Sequence, residues 1–174
     1  MPDANDALAA AAVKEAQRVL RINLKKIRHC LDQLSDEHVN WRPFEQQNSI
    51  ANVILHLCGN VRQWIITGIG NEPDRRNREA EFADRRSYRR GDLLDRLEKT
   101  VAEADTVLSR LTTADDLLGP RKVQGFDETA LSAMLHVAAH FEGHTHEIVY
   151  ITRLLIRDKY KFHFVPSDKV RGSV

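Results

Sequence analysis

Residues 16–34, AQRVLRINLKKIRHCLDQL, place Ala16, Leu20, Leu24, Ile27, Leu31 and Leu34 three or four positions apart, with Arg21, Lys25, Lys26 and Arg28 between them. Side chains at those spacings share one face of an α-helix, so the segment reads as an amphipathic helix running from about Ala7 to Leu34. The same period recurs in three later segments. Ser49 can cap a second helix whose apolar arc is Ile50, Val53, Ile54, Leu57, Val61, Trp64 and Ile65. Gly68, Gly70 and Pro73 then stop it. A third helix is expected from about Asp92 to Leu111, on Leu94, Leu97, Val101, Ala104, Leu108 and Leu111. The last runs from about Glu128 to Ile156, with Asp127 as its cap.

Between them lie a polar connection, 35–48, and a loop from Thr112 to Phe126 holding Gly119-Pro120 and Gly125. The tail beyond Arg157, with Phe162, Phe164, Val165 and Pro166, is expected to pack before it frays. No alternating apolar–polar run of useful length marks a strand. The expected fold is all-α, a four-helix bundle in one domain spanning 1–174. The helix 2–helix 3 connection is long enough to cross an end of the bundle, so plain up-down topology does not follow.

The chain has 174 residues, 26 Lys plus Arg against 25 Asp plus Glu, and a net charge of +1. That balance gives no general reason to expect nucleic acid or an anionic membrane as partner. Residues 71–90 concentrate seven Arg, but five acids interleave with them, so the segment reads as a solvated crossover and not a phosphate-tracking surface. No apolar run approaches the roughly 20 residues of a membrane span. Acids stand in Met1–Asp6 where a secretory leader would be basic, and the protein is read as cytoplasmic. Cys30 and Cys58 are expected to be reduced thiols.

Half of the eight histidines fall within 135–147, LHVAAHFEGHTHE. With His140 set at 0° on a helical wheel, His144 lies near ~+40°, His136 near ~−40° and Glu147 near ~−20°, among aliphatic residues that must face the core. His146, near ~−120°, stays off that face. Histidines four apart put two imidazoles one turn apart, the arrangement that holds a transition metal from one helix. Several buried imidazoles are costly unless satisfied together, and a shared cation does that. A third ligand is harder to read. His29 points off its helix stripe, His38 sits in a loop and His163 in the tail. His56 lies about 120° from the centre of its apolar arc, beside Asn52, Asn60 and Gln63. That is a solvated polar face, or the mouth of a cavity. Paired Glu-x-x-His motifs for di-iron, His-Glu-x-x-His, Gly-x-Ser-x-Gly and phosphate-binding glycine loops are absent from the sequence.

The segments NSIANVILHLCGN (48–60) and HFEGHTHEI (140–148), together with Trp41-Arg42-Pro43, resemble the helix-2, last-helix and preceding-loop motifs of DinB-like (YfiT-like) proteins, over roughly residues 10–156. The resemblance implies a bundle with a three-histidine metal site, commonly zinc or nickel, and often a homodimer. Position by position it implies His56, His140 and His144 as ligands. His136 has no counterpart there and is left as a core residue or one behind the ligands. The family's Gly-Gln after the second histidine is His146-Glu147 here. Glu147 could accept an imidazole N–H, act as general base, or be a fourth ligand that closes the site.

Activities known in that superfamily are thiol-dependent transferases and isomerases. The resemblance therefore implies a metal-dependent enzyme acting on a small molecule, such as a transferase using a low-molecular-weight thiol. The competing reading is a non-enzymatic, metal-stabilised or stress-linked interaction module. Leu131, Leu135, Ala138 and Phe141 widen the apolar surface of the last helix, which a second subunit could cover in a symmetric dimer.

Overall fold

The computed structural model describes residues 3–163. Phe164, Val165 and Pro166 lie outside them. Helix α1 (Ala4–Asp32) starts at Asp3, whose side chain accepts from the Asn5 N–H, and buries Val13, Ala16, Leu20, Ile27 and Leu31 as the period requires. Cys30 is fully buried as well. A single turn, α2 (Asp36–Asn40), follows behind Ser35. Helix α3 (Ile50–Val61) is capped by Ser49, with the Asn52 side chain returning to the Ser49 backbone. It continues as a π-helical turn, Arg62–Thr67, in which the Gly68 N–H reaches back five residues to the Gln63 carbonyl at 3.0 Å.

The crossover contains a short helix, α4 (Arg78–Ala83), capped by Asn77. Helix α5 (Arg90–Leu108) buries Leu93, Leu97, Val101, Ala104 and Leu108, and a single turn, α6 (Ala114–Leu118), succeeds it. Strands β1 (Pro120–Val123) and β2 (Phe126–Thr129) pair antiparallel, with Val123 opposite Phe126. Gln124 and Gly125 make the two-residue turn, at φ +56° and +86°. Two successive positive-φ residues are what a tight hairpin needs, and glycine supplies one at no steric cost. The hairpin corrects the sequence expectation of a loop there. It also moves the start of α7 (Ala130–Ile156): its cap is Thr129, boxed with Ser132, whereas Asp127 sits in β2 and pairs with Lys122 at 3.1 Å. Arg157–Lys159 forms a 3-10 turn, and the Lys161 carbonyl then accepts from the Gln33 side chain.

The described chain is mostly helical, with one small two-stranded sheet. Helix α1 packs mainly on α7 and α5, and α3 mainly on α5 and α7. The first and second long helices are therefore not principal neighbours, and the 68–89 connection delivers α5 between them. Ile27, Leu31, Ile54, Leu57, Leu97, Met134, Phe141 and Ile148 are fully buried where these four meet. Phe141 thus belongs to the interior, not to an outer face of α7. Among the described residues, no helix is long and apolar enough to cross a membrane.

Candidate metal centre

Helix α3 has a polar arc, yet nothing on it faces water. Asn52, Asn60 and Gln63 are buried, and His56 is 4% exposed. Of the two readings of that face, the solvated one is excluded, because residues 74–84 cover the arc. Two side chains hold that cover down. The Asn52 amide donates to the carbonyls of Glu81 (2.9 Å) and Asp84 (3.0 Å). Its oxygen accepts from the Ser49 N–H at 3.1 Å and from Arg42 at 2.6 Å. Arg42 also donates to the Asp84 carbonyl at 2.9 Å. Buried carbonyls must find donors, and here the donors fix one backbone path for the cover.

That path carries Glu81 to His56. The Glu81 Oε2 lies 3.0 Å from His56 Nδ1, and Arg76 donates to both Glu81 oxygens at 2.8 and 2.9 Å. A second contact, Arg76 Nη2 to His56 Nδ1 at 3.1 Å, is not a hydrogen bond. A carboxylate can only accept, so Nδ1 carries the proton and cannot accept from Arg76. Burial pushes the Glu81 carboxyl up, but hydrogen bonds from His56 and Arg76 outweigh it and hold the group below the usual carboxylate range. Gly59 makes the approach feasible: a Cβ there would stand 1.9 Å from Glu81 Oε1 and 2.9 Å from Arg76 Nε. Arg76 is braced in turn by Gln63 at 2.8 Å, and Gln63 by Asp74 at 2.8 Å.

With Nδ1 protonated, His56 Nε2 presents a lone pair towards α7. It lies 2.9 Å from His140 Nε2. His144 stands one turn on, its ring 4.5 Å from that of His140 and 5.0 Å from that of His56. Glu147 Oε2 lies 2.6 Å from His144 Nδ1, so this imidazole also carries its proton on Nδ1 and keeps Nε2 free. One donor atom from each of His56, His140 and His144 falls within 4.8 Å of the others, a group that could hold a metal ion. Burial pushes the His140 imidazole down to about 4, and the neighbouring His144 and His56 rings push the same way. It is therefore neutral at pH 7, the form a cation needs.

Not every sequence-read histidine joins the group. His136 stacks on Trp64 at 3.8 Å between ring centres and lies parallel to His140 at 5.6 Å, outside the donor set. His38 accepts from the Ser35 N–H and caps α2. His29 meets the Lys161 carbonyl, and His146 is exposed. Sequence reasoning missed Glu81 and Arg76. Gly59 in mid-helix, beside a polar arc, was the available signal that something must approach α3 there.

The chain belongs to the family described as protein of unknown function (DUF1572), whose model matches residues 7–169. No curated protein matches it.

Proposed function

We propose that the chain is a single four-helix bundle of the DinB-like (YfiT-like) kind that binds one divalent transition metal, zinc or nickel, through His56, His140 and His144. The observation that supports this most is the carboxylate behind two of the three imidazoles. Glu81 and Glu147 fix the Nδ1 tautomer of His56 and His144, as partners of metal-binding histidines generally do. The spacing fits as well. Nitrogens bound at ~2.0–2.1 Å around a tetrahedral centre sit about 3.4 Å apart. The closest observed pair is at 2.9 Å and the whole set lies within 4.8 Å. An all-imidazole set accepts zinc and nickel alike.

We read the site as that of an enzyme, such as a transferase moving a low-molecular-weight thiol onto a small electrophile. Glu147 is engaged with His144, which leaves three protein donors, the pattern that keeps a position open. A divalent cation held there lowers the pKa of a thiol or water and so supplies a nucleophile at neutral pH. The chain's own part is positional and protonic. Glu81 and Arg76 hold His56 in register, and burial keeps His140 neutral. Glu147 orients His144 with one oxygen, and its other oxygen, without a partner among the described residues, is placed to take a proton as general base.

Metal analysis of the purified protein tests the first step. The wild type should carry about one metal per chain, and His140→Ala less than about a tenth of that. A wild type that neither contains nor takes up zinc or nickel refutes the site. A mass-spectrometric screen with thiols and electrophile probes tests the second. Adducts no greater than those of His56→Ala would leave the metal as a structural staple. We also propose a cytoplasmic symmetric homodimer. Leu135, Tyr150 and Leu154 remain more than half exposed on α7, and both cysteines are unpaired. Sedimentation as a monomer at micromolar concentration would remove the dimer.

A further inference from the structure

We propose that the cleft between α3 and α5 binds a small phosphate-bearing molecule. The cleft encloses about 440 Å³, within the usual range of small-molecule sites, and lies on the far side of Glu81 from the three imidazoles. Residues 75–86 roof it, and Leu55, Cys58 and Thr100 line its inner wall.

Its charge is what sets it apart in a chain with a net charge of only +1. Six cationic side chains line it against three carboxylates. The carboxylates are already taken: Glu103 pairs with Arg62 at 2.5 Å, Glu81 with Arg76 at 2.8 Å and Asp84 with Arg86 at 2.5 Å. Arg75, Arg96 and Lys99 have no ion-pair or hydrogen-bond partner for their side-chain charge among the described residues. They reach the same cavity from two directions, Arg96 and Lys99 from α5 and Arg75 from the roof.

Like charges held together destabilise a fold unless something offsets them, and a concave cleft focuses their field. A phosphate offers several acceptor oxygens and a charge near −2, and planar guanidinium groups match it in pairs. The cations line one open cleft and are not spread along a groove. One cleft of that volume holds a small molecule and gives no track for a long strand, so the geometry favours a compact ligand over a nucleic-acid strand.

Calorimetric titration of the metal-free full chain with pyrophosphate at low salt tests the assignment independently of the imidazole site. One saturating event per chain is expected. It should weaken about tenfold or more in the double variant Arg96→Glu/Lys99→Glu and in Arg75→Glu, the loss of one or more charge-assisted contacts. Lys25→Glu, on the exposed face of α1, should bind as the wild type does. All four positions are exposed, so folding should survive, with circular dichroism as the check. No saturation overturns the proposal. So does equal weakening by Lys25→Glu, which would mean general screening. Tighter binding of a duplex oligonucleotide than of pyrophosphate through the same residues would replace it with a nucleic-acid surface.

Discussion

Replacing Gly59 with alanine sets two well-defined effects against each other. Ala is the better helix former by ~1 kcal/mol in a helix interior, so propensity alone predicts a gain. The space is not there: the new Cβ would stand 1.9 Å from Glu81 Oε1, 2.7 Å from Glu81 Cδ and 2.9 Å from Arg76 Nε. A free glutamate would swing away at little cost. This one is held by His56 at 3.0 Å and by Arg76 at 2.8 and 2.9 Å, with its side chain 11% exposed. Moving it breaks the His56 bond and loosens the paired Arg76 bonds, a loss of about 3 kcal/mol for charged, largely buried contacts. The net effect should be destabilisation by about 2 kcal/mol, which in a chain of this size lowers Tm by about 4–8 °C. Metal affinity should fall ~10- to 100-fold, the usual result of losing a carboxylate behind a histidine ligand. Thermal melts with and without chelator, plus competition against a chromogenic chelator, give both numbers. A variant as stable as the wild type with unchanged metal retention would refute the idea that Glu81 is wedged against α3 to orient His56.

Asn52→Ala should cost about 3 kcal/mol or more, because it leaves the Ser49 N–H without its side-chain acceptor and removes donors to two carbonyls of the cover. Limited proteolysis should then cut within 74–84, and resistance equal to the wild type would count against the clamp. Asp84 supplies a pH test. The hydrogen bond from Arg86 holds its carboxyl well below the ordinary range against the opposing effect of burial, and Tyr88 helps at 2.7 Å. A depressed folded pKa means stability present above the unfolded value, near 3.8, and lost as pH falls below it towards the folded value. The stability gap between wild type and Asp84→Asn should therefore shrink as pH drops from 7 to 3 in urea melts. A constant gap excludes the linkage. Glu147→Gln keeps an acceptor for His144 but removes the base. Metal content should hold while activity drops and the acidic limb of the pH–rate profile, which the protonation of a general base produces, disappears; metal loss equal to that of His144→Ala would make Glu147 a ligand instead.

The four long helices were legible because a 3.6-residue period repeated over several turns leaves few alternatives, and Ser49 was legible as a cap. The pieces of four to six residues were not. α2, α4 and α6 are too short to show a period, and β1–β2 too short to alternate. Their turn, Gln124-Gly125, lacks the Asn or Asp that usually announces one. At the start of α7 two residues could cap, Asp127 and Thr129, and only pairing across the hairpin decides between them. His140, His144 and Glu147 could be read from one helix because they share its face. His56 could not. Periodicity reports which side of a helix is polar but not what comes to cover it, and the cover begins some twenty residues downstream.

The π-helical turn at Arg62–Thr67 amounts to an α-helix carrying one surplus residue. Loss of a residue within it would let the turn relax to ordinary α geometry, with the following loop absorbing the offset. Loss of a residue from the same helix between Ser49 and His56 would instead rotate the imidazole by ~100° relative to the cap, away from its two counterparts. Length variation among related chains should accordingly be tolerated within 62–67 and excluded between Ser49 and His56.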